Sequence, residues 1–292
     1  MDPRFATREK TWIMGILNVT LDSFSGDGLL NQKDTFQAAL DQARMFVNDG
    51  ADILDVGGES TRPGAQPVSL QEELDRVIPV IEKIHSELDV PLSVDTYKSI
   101  VAEAAIQAGA QWVNDVWGLR ADERMAEVVA KTGVPVVIMH NRSKPNQAEI
   151  QDRLGGRYVG VEYQDLIKDV NRELLESVNI ANTTGVKNTQ IILDPGIGFG
   201  KTVKQNLELI NRLNEIKALG FPVLLGPSRK SFIGYTLDVP PEERLEGTLA
   251  ACVVGILHGA DILRVHDVKA VARVARMTNA IIQGTNEQTH ES

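Results

Sequence analysis

The residues of this chain that could do chemistry recur in one setting. Each of eight short apolar runs ends in groups that donate or accept hydrogen bonds. The first run ends at Asn18, with Thr20 and Asp22 just beyond, and the second passes into GGESTRPG, which holds Thr61, Arg62 and Pro63. The third ends at Asp95 and the fourth at Asn114 and Asp115. The fifth ends in MHNR, Met139 to Arg142, and the sixth in DPGIGFGKT, Asp194 to Thr202. The seventh runs into GPSRKS, with Arg229, Lys230 and Ser231, and the eighth ends in RVHD, with Arg264 and His266. Taken singly, Asn18, Asp95 or Asn114 is as well explained by a strand-end turn as by function. A scaffold protein, however, has no reason to crowd eight such groups at one rim.

The types also matter. Asp and Glu number 40 against 30 Lys and Arg, a net charge of −10, so general binding to a phosphate backbone is disfavoured. Against that acidic background Arg62, Arg229, Lys230, Arg264 and His266 concentrate positive charge, as suits capture of an anionic substrate. Arginine can grip phosphate oxygens with two parallel hydrogen bonds. Asp95, Asn114 and Asp194 offer oxygens to the amino–imino edge of a heterocycle. The rim therefore predicts a ligand with a phosphate-type anion and a hydrogen-bonding ring. Asn18 and Asp22, together with a diphosphate, would suit Mg2+, which prefers hard oxygen ligands and often bridges substrate phosphates.

The apolar runs read as strands, and helical spacing separates them. The strands fall at Thr11–Val19, Ile53–Val56, Pro91–Asp95, Trp112–Val116, Pro135–Met139, Ile191–Asp194, Pro222–Leu225 and Ile262–Val265. The helices fall at Lys33–Asn48, from Ser69 onward, Lys98–Ala108, Asp122–Lys131, Val161–Ile180, Gln205–Leu219, Glu243–His258 and Lys269–Ile281. His140 to about Gly160 reads as a long polar loop. Strands alternating with helices imply a parallel sheet. Eight such units in 292 residues suit an α/β protein of the (β/α)8 TIM-barrel class, in which chemistry sits at the C-terminal ends of the strands. The expected single domain covers residues 1–284, followed by a polar, disordered tail at 285–292.

Other signals carry less. GIGFGKT has three residues between Gly196 and Gly200 where a phosphate loop needs four, so its glycines are expected to serve a tight turn. His85 and His258 lie on helices and read as structural or exposed, while His140 is ambiguous. The stretch Glu162 to Glu176 reads as a solvated helix face. The only cysteine, Cys252, reads as a core residue; it leaves no internal disulfide, and the expected compartment is the reducing cytoplasm. No membrane span is expected.

In order along the chain stand GILNVTLDSFS, ADILDVGGESTRPGA, LSVDT, WVNDV, MHNR, ILDPGIGFGKT, GPSRKSFIG and LRVHDV. Together they resemble the dihydropteroate synthases, pterin-binding enzymes of folate biosynthesis, over nearly the whole chain from Ile13 to about Val268. The resemblance implies condensation of 6-hydroxymethyl-7,8-dihydropterin diphosphate with 4-aminobenzoate, giving 7,8-dihydropteroate and diphosphate. It also implies pterin binding at Asp95, Asn114, Met139, Asp194 and Lys230. Diphosphate would be held by Asn18, Arg62, Arg264 and His266, with Mg2+ at Asn18. 4-Aminobenzoate would be held by Thr61, Arg62, Pro63, Phe199, Lys230 and Ser231. The catalytic set is Asp95, Asp194, Lys230, Arg264 and His266, and the assembly is a homodimer.

The first loop departs from the usual string, close to TPDSFSDGG: Leu21 replaces the proline, and Gly26-Asp27 inverts the Asp-Gly order. Two other readings stay open. A pterin-dependent methyltransferase would share the barrel and part of the Asp/Asn pattern, but is not expected to carry STRPG, SRKS and RVHD together. A pterin-binding paralogue without turnover would draw its support from the altered first loop.

Overall fold

The computed structural model describes residues 10–19, 32–60, 65–144, 147–159 and 162–287. The chain begins with β1 (Trp12–Asn18), α1 (Gln32–Asp49), β2 (Ile53–Gly57), α2 (Leu70–Glu87), β3 (Leu92–Asp95) and α3 (Ser99–Gln107). It continues with β4 (Trp112–Asp115), α4 (Met125–Thr132), β5 (Val136–Met139), β6 (Ala148–Gln151), β7 (Gly155–Tyr158) and α5 (Leu166–Thr184). Then come β8 (Ile191–Asp194), α6 (Val203–Asn211), α7 (Leu213–Lys217), β9 (Leu224–Leu225), α8 (Ser231–Leu237), α9 (Leu245–Leu257), β10 (Ile262–Val265) and α10 (Val268–Glu287).

Eight of these strands form one parallel sheet in the order β8-β5-β4-β3-β2-β1-β10-β9. A parallel bridge between Leu193 and Val223, and the hydrogen bond from Leu193 N to Pro222 O at 2.9 Å, join β8 to β9 and close the ring. The result is the expected (β/α)8 barrel with helices outside.

Local signals set several boundaries. Ser69 caps α2 by accepting from Glu72 N, and Asp165 caps α5 by accepting from Lys168 N. Thr202 and Gln205 form a reciprocal capping box on α6. Gly133 and Gly185 end α4 and α5 in the left-handed conformation.

The period of two along each strand separates two cores. Outward residues such as Leu54, Val94, Ile138 and Leu263 pack under the helices. Inward residues Met14, Ile53, Trp112, Val137, Ile192, Leu224 and Ile262 fill the barrel floor as a separate buried cluster. Two residues further along the same strands stand Ile16, Asp55, Asn114, Met139, Asp194 and Arg264, and the alternation turns them inward as well. The floor is apolar, and four of the six residues above it are polar.

Three expectations need correction. The stretch after β5 is not only loop: β6 and β7 pair there as an antiparallel hairpin, with Glu149 opposite Arg157. Of its eight residues only Tyr158 is buried, so hydrophobic alternation could not reveal it. The single helix expected over Gln205–Leu219 breaks at Arg212 into α6 and α7. The tail expected to be disordered from residue 285 is still helical as far as Glu287, and residues 288–292 lie outside those described.

The barrel floor makes a specific demand on packing. Trp112 is its largest member and is 1% exposed. Trp112→Ala is expected to lower stability by about 3–5 kcal/mol, because the closed barrel cannot collapse into the void. Urea unfolding of both proteins, with an unchanged slope, checks it.

Candidate active site

The layer above the floor holds charges that a closed barrel cannot hydrate freely. Asp55 is wholly buried and Asp95 nearly so. Arg264, from β10, lies between them, with Nε 2.6 Å from Asp55 Oδ2 and Nη2 bonded to Asp95 Oδ2. Asn114 Nδ2 donates to the same Asp55 oxygen at 3.0 Å, so one carboxylate orients both an arginine and an amide. Burial raises the Asp95 pKa to about 7, against the opposing pull of Arg264. The two carboxylates in turn hold the guanidinium above its ordinary range. Arg264, expected at the diphosphate, thus also touches a carboxylate expected at the pterin. Met139 is buried on β5, paired in register with Asp194.

A second group of residues forms around the turn after β8. Asp194 Oδ1 accepts from Gly196 N at 2.7 Å, and burial raises the Asp194 pKa. Gly196, Gly198 and Gly200 have φ of 72°, 82° and 60°, so the glycines do serve a tight turn. A Cβ on Gly196 would stand 1.8 Å from His140 O, which leaves no room for any side chain. From the loop after β9, Lys230 donates to Ile197 O, and its ammonium stands 4.5 Å from the centre of the Phe199 ring. Burial lowers the Lys230 pKa to about 8, although Asp194 draws it upward. Ser231 begins α8 immediately after Lys230.

His266 sits beyond β10 under a clasp that the sequence reading missed. Ser228 Oγ lies 3.0 Å from His266 Nδ1 and accepts from His266 N at 3.1 Å. Asn18 closes β1 opposite Gly57. Arg229 is not part of this rim: its exposed guanidinium pairs with Asp267. Thr61, Arg62 and Pro63, with Thr20, Asp22 and the departures at Leu21 and Gly26-Asp27, lie outside the described residues.

Asp115 points away from the cavity and binds Trp117 N and Leu119 N, each at 2.8 Å, as a turn residue does. His85 is exposed, His258 caps the end of α9, and Cys252 is a buried core residue whose thiol pKa rises to about 12. Among the described residues no cluster of His, Cys, Asp and Glu could hold a metal by itself, and no helix is long and apolar enough to cross a membrane.

A buried network behind the Gly196 turn corrects the reading of Glu162–Glu176 as a solvated face. Glu173 is only 11% exposed; Arg142 binds its carboxylate with Nε and Nη2, and His140 Nε2 lies 3.1 Å away. These contacts hold Glu173 well below the usual carboxylate range. On the other side of the ring, His140 Nδ1 lies 3.0 Å from Lys201 Nζ. Glu173, held ionised, can only accept, so His140 Nε2 carries the proton given to it and Nδ1 accepts from Lys201. Burial and Lys201 together push the His140 pKa down to about 3. The sequence did hold a signal for Glu173. Leu166, Asp169, Val170, Glu173 and Leu174 share one helical face, and that face turns inward.

Comparison with known proteins agrees with this geometry. The family model described as pterin binding enzyme matches residues 14–266. The dihydropteroate synthase of Bacillus subtilis is 52% identical over 275 residues, covering 94% of this chain and 90% of that protein. A dihydropteroate synthase from Clostridium difficile, crystallised in the presence of pteroic acid, superposes with a TM-score of 0.85 at 50% identity, covering 94% of this chain and 98% of the other. The Xanthomonas albilineans enzyme with 4-aminobenzoic acid gives a TM-score of 0.84 at 41% identity, with 94% of each chain covered. With a matched barrel of which nearly all is shared, this chain belongs to the pterin-binding enzyme family and, within it, to the dihydropteroate synthases.

Proposed function

We propose that the barrel mouth joins 6-hydroxymethyl-7,8-dihydropterin diphosphate to 4-aminobenzoate, releasing diphosphate and 7,8-dihydropteroate. The observation that carries this reading is the convergence of Asp95, Asn114, Asp194, Lys230 and Arg264 at one end of the barrel, above an apolar floor. Asp95, Asn114 and Asp194 present oxygens at the depth where a flat heterocycle would rest, and would pair with its amino–imino edge. Lys230, held between Ile197 O and the Phe199 ring, stands where it can meet both the pterin and the incoming aminobenzoate. Phe199 and Ser231 would hold the aminobenzoate, a role that the resemblance also gives to Thr61, Arg62 and Pro63. Arg264, His266, Arg62 and Asn18 receive the diphosphate, and Arg264 exchanges part of its carboxylate pairing for phosphate oxygens.

The aromatic amine is a weak nucleophile and requires no strong base. The work lies in breaking the carbon–oxygen bond to diphosphate. Arg264 and His266 stabilise the leaving charge, and Asp194 stabilises the cation that develops on the dihydropterin. The substitution is therefore SN1-like, with no covalent link to the enzyme. Mg2+ would add a Lewis acid at the leaving diphosphate. The donor set fits a Mg2+ that arrives with that diphosphate: Asn18 offers a hard amide oxygen, and no carboxylate cluster among the described residues would hold the ion alone.

A homodimer would cover the apolar groove formed by Leu207, Ile210, Phe232, Ile233, Ala250 and Val254 between α6, α8 and α9. A buried lone cysteine suits the reducing cytoplasm.

The first experiment is diphosphate release from the dihydropterin substrate. Release is expected to depend on 4-aminobenzoate and on Mg2+, with equal dihydropteroate formed. Binding without release would indicate a paralogue that has lost turnover; methyl transfer would indicate the other enzyme class. Lys230 also predicts a pH dependence. It is charged below about 8 and neutral above, so kcat/KM for 4-aminobenzoate should fall as pH rises through about 8. Lys230→Met should lose roughly 10²-fold and abolish that limb. Sedimentation should give twice the chain mass, and Val254→Lys in the groove should give one.

A further inference from the structure

We propose that Lys201 is a positioning residue for this reaction: from behind the cavity it fixes the Gly196–Phe199 turn against which Lys230 is seated. The inference rests on the reading of Lys230 given above.

Lys201 is among the largest wholly buried side chains of the protein. Its Nζ has four partners: Gly196 O at 2.9 Å, Phe199 O at 3.0 Å, His140 Nδ1 at 3.0 Å and His140 O at 3.5 Å. Two of these are the carbonyls at either end of the turn. Between them lies Ile197 O, which takes the Lys230 ammonium, and the Phe199 ring flanks the same ammonium. From the cavity side Asp194 holds Gly196 N, and from the helix side Asn206 Oδ1 holds Gly198 N at 2.6 Å. The turn is thus clamped from three directions, and Lys201 supplies the clamp on its carbonyls.

Two physical arguments make this more than packing. A turn with three left-handed glycines has little intrinsic preference for one shape, so something outside it must select that shape. Burying a lysine amine whose hydrogen bonds go to neutral acceptors is also costly for the fold alone, and that burial pushes its pKa well below the ordinary value. A well-packed apolar side chain would often do better there. What the lysine provides is one nitrogen that bonds both ends of the turn and the His140 ring at once. His140 extends the clamp: Lys201 holds its Nδ1 and Glu173 its Nε2, which ties the loop after β5 to the loop after β8.

The test is a double-mutant cycle on the full chain, with Lys201→Met, Lys230→Met and the double variant. Circular dichroism and melting first establish the folded fraction, and rates are expressed per folded protein. Misplacement by about an ångström costs on the order of 10²-fold, so K201M should lose about 10- to 100-fold in kcat/KM for 4-aminobenzoate. If Lys201 acts through Lys230, the double variant should be no worse than K230M. Should K201M not fold, Lys201→Gln, which keeps two donors on a neutral side chain, enters the same cycle. Losses that multiply, or a folded Lys201 variant with unchanged kinetics, would overturn the inference while leaving the role of Lys230 intact. Full activity in K230M would overturn the reading of Lys230 and the inference together.

Discussion

Asp55 and Asp95 place their carboxyl groups inside a closed barrel, where water reaches them poorly, and the guanidinium of Arg264 lies between them. Much of the cavity is organised by that arrangement. Burial favours the protonated form of Asp95, and Arg264 opposes that tendency. Arginine suits the place because its donors are fixed in a plane and it keeps its charge when buried. Asn114 then takes its orientation from the same Asp55 oxygen. The interaction is not a simple gain in stability, since burying ions is costly and an apolar layer could be as stable. What it supplies is a set of hydrogen-bonding groups held in place before any ligand arrives.

The barrel makes such a layer feasible. Each strand shows the cavity every second residue, so a change of type two positions along changes one whole level of the interior. Ile53 to Asp55, Trp112 to Asn114, Ile192 to Asp194 and Ile262 to Arg264 are four such steps. The apolar level carries the packing, and the polar level carries the chemistry. The short β9 contributes only Leu224 to the floor, and the loop after it supplies Lys230.

Around this centre the loops are fixed by groups that do not face the ligand. Ser228 holds the backbone and ring of His266. Lys201, His140 and Glu173 form a line of hydrogen bonds behind the Gly196 turn. The cavity side chains therefore depend on a second set of buried polar residues, each with its donors or acceptors engaged.

The sequence by itself determined the eight strand–helix units, the end of the barrel that carries polar groups, and the types of those groups. These follow from local periodicity and from strand ends, which are written in neighbouring residues. It also carried the ordered motifs from GILNVTLDSFS to LRVHDV that point to the family. The tertiary structure decided which groups meet. Asp55 reads in sequence as the middle of an apolar strand, and Lys201 as the end of a glycine turn; neither looks exceptional until β10 and the loop after β5 are brought against them. Arg229 and Lys230 are adjacent, yet one pairs with Asp267 outside the rim and the other enters the cavity. The partners of Arg264 are 209 and 169 residues away along the chain. Barrel closure places them within hydrogen-bond reach, and no local pattern encodes a contact of that span.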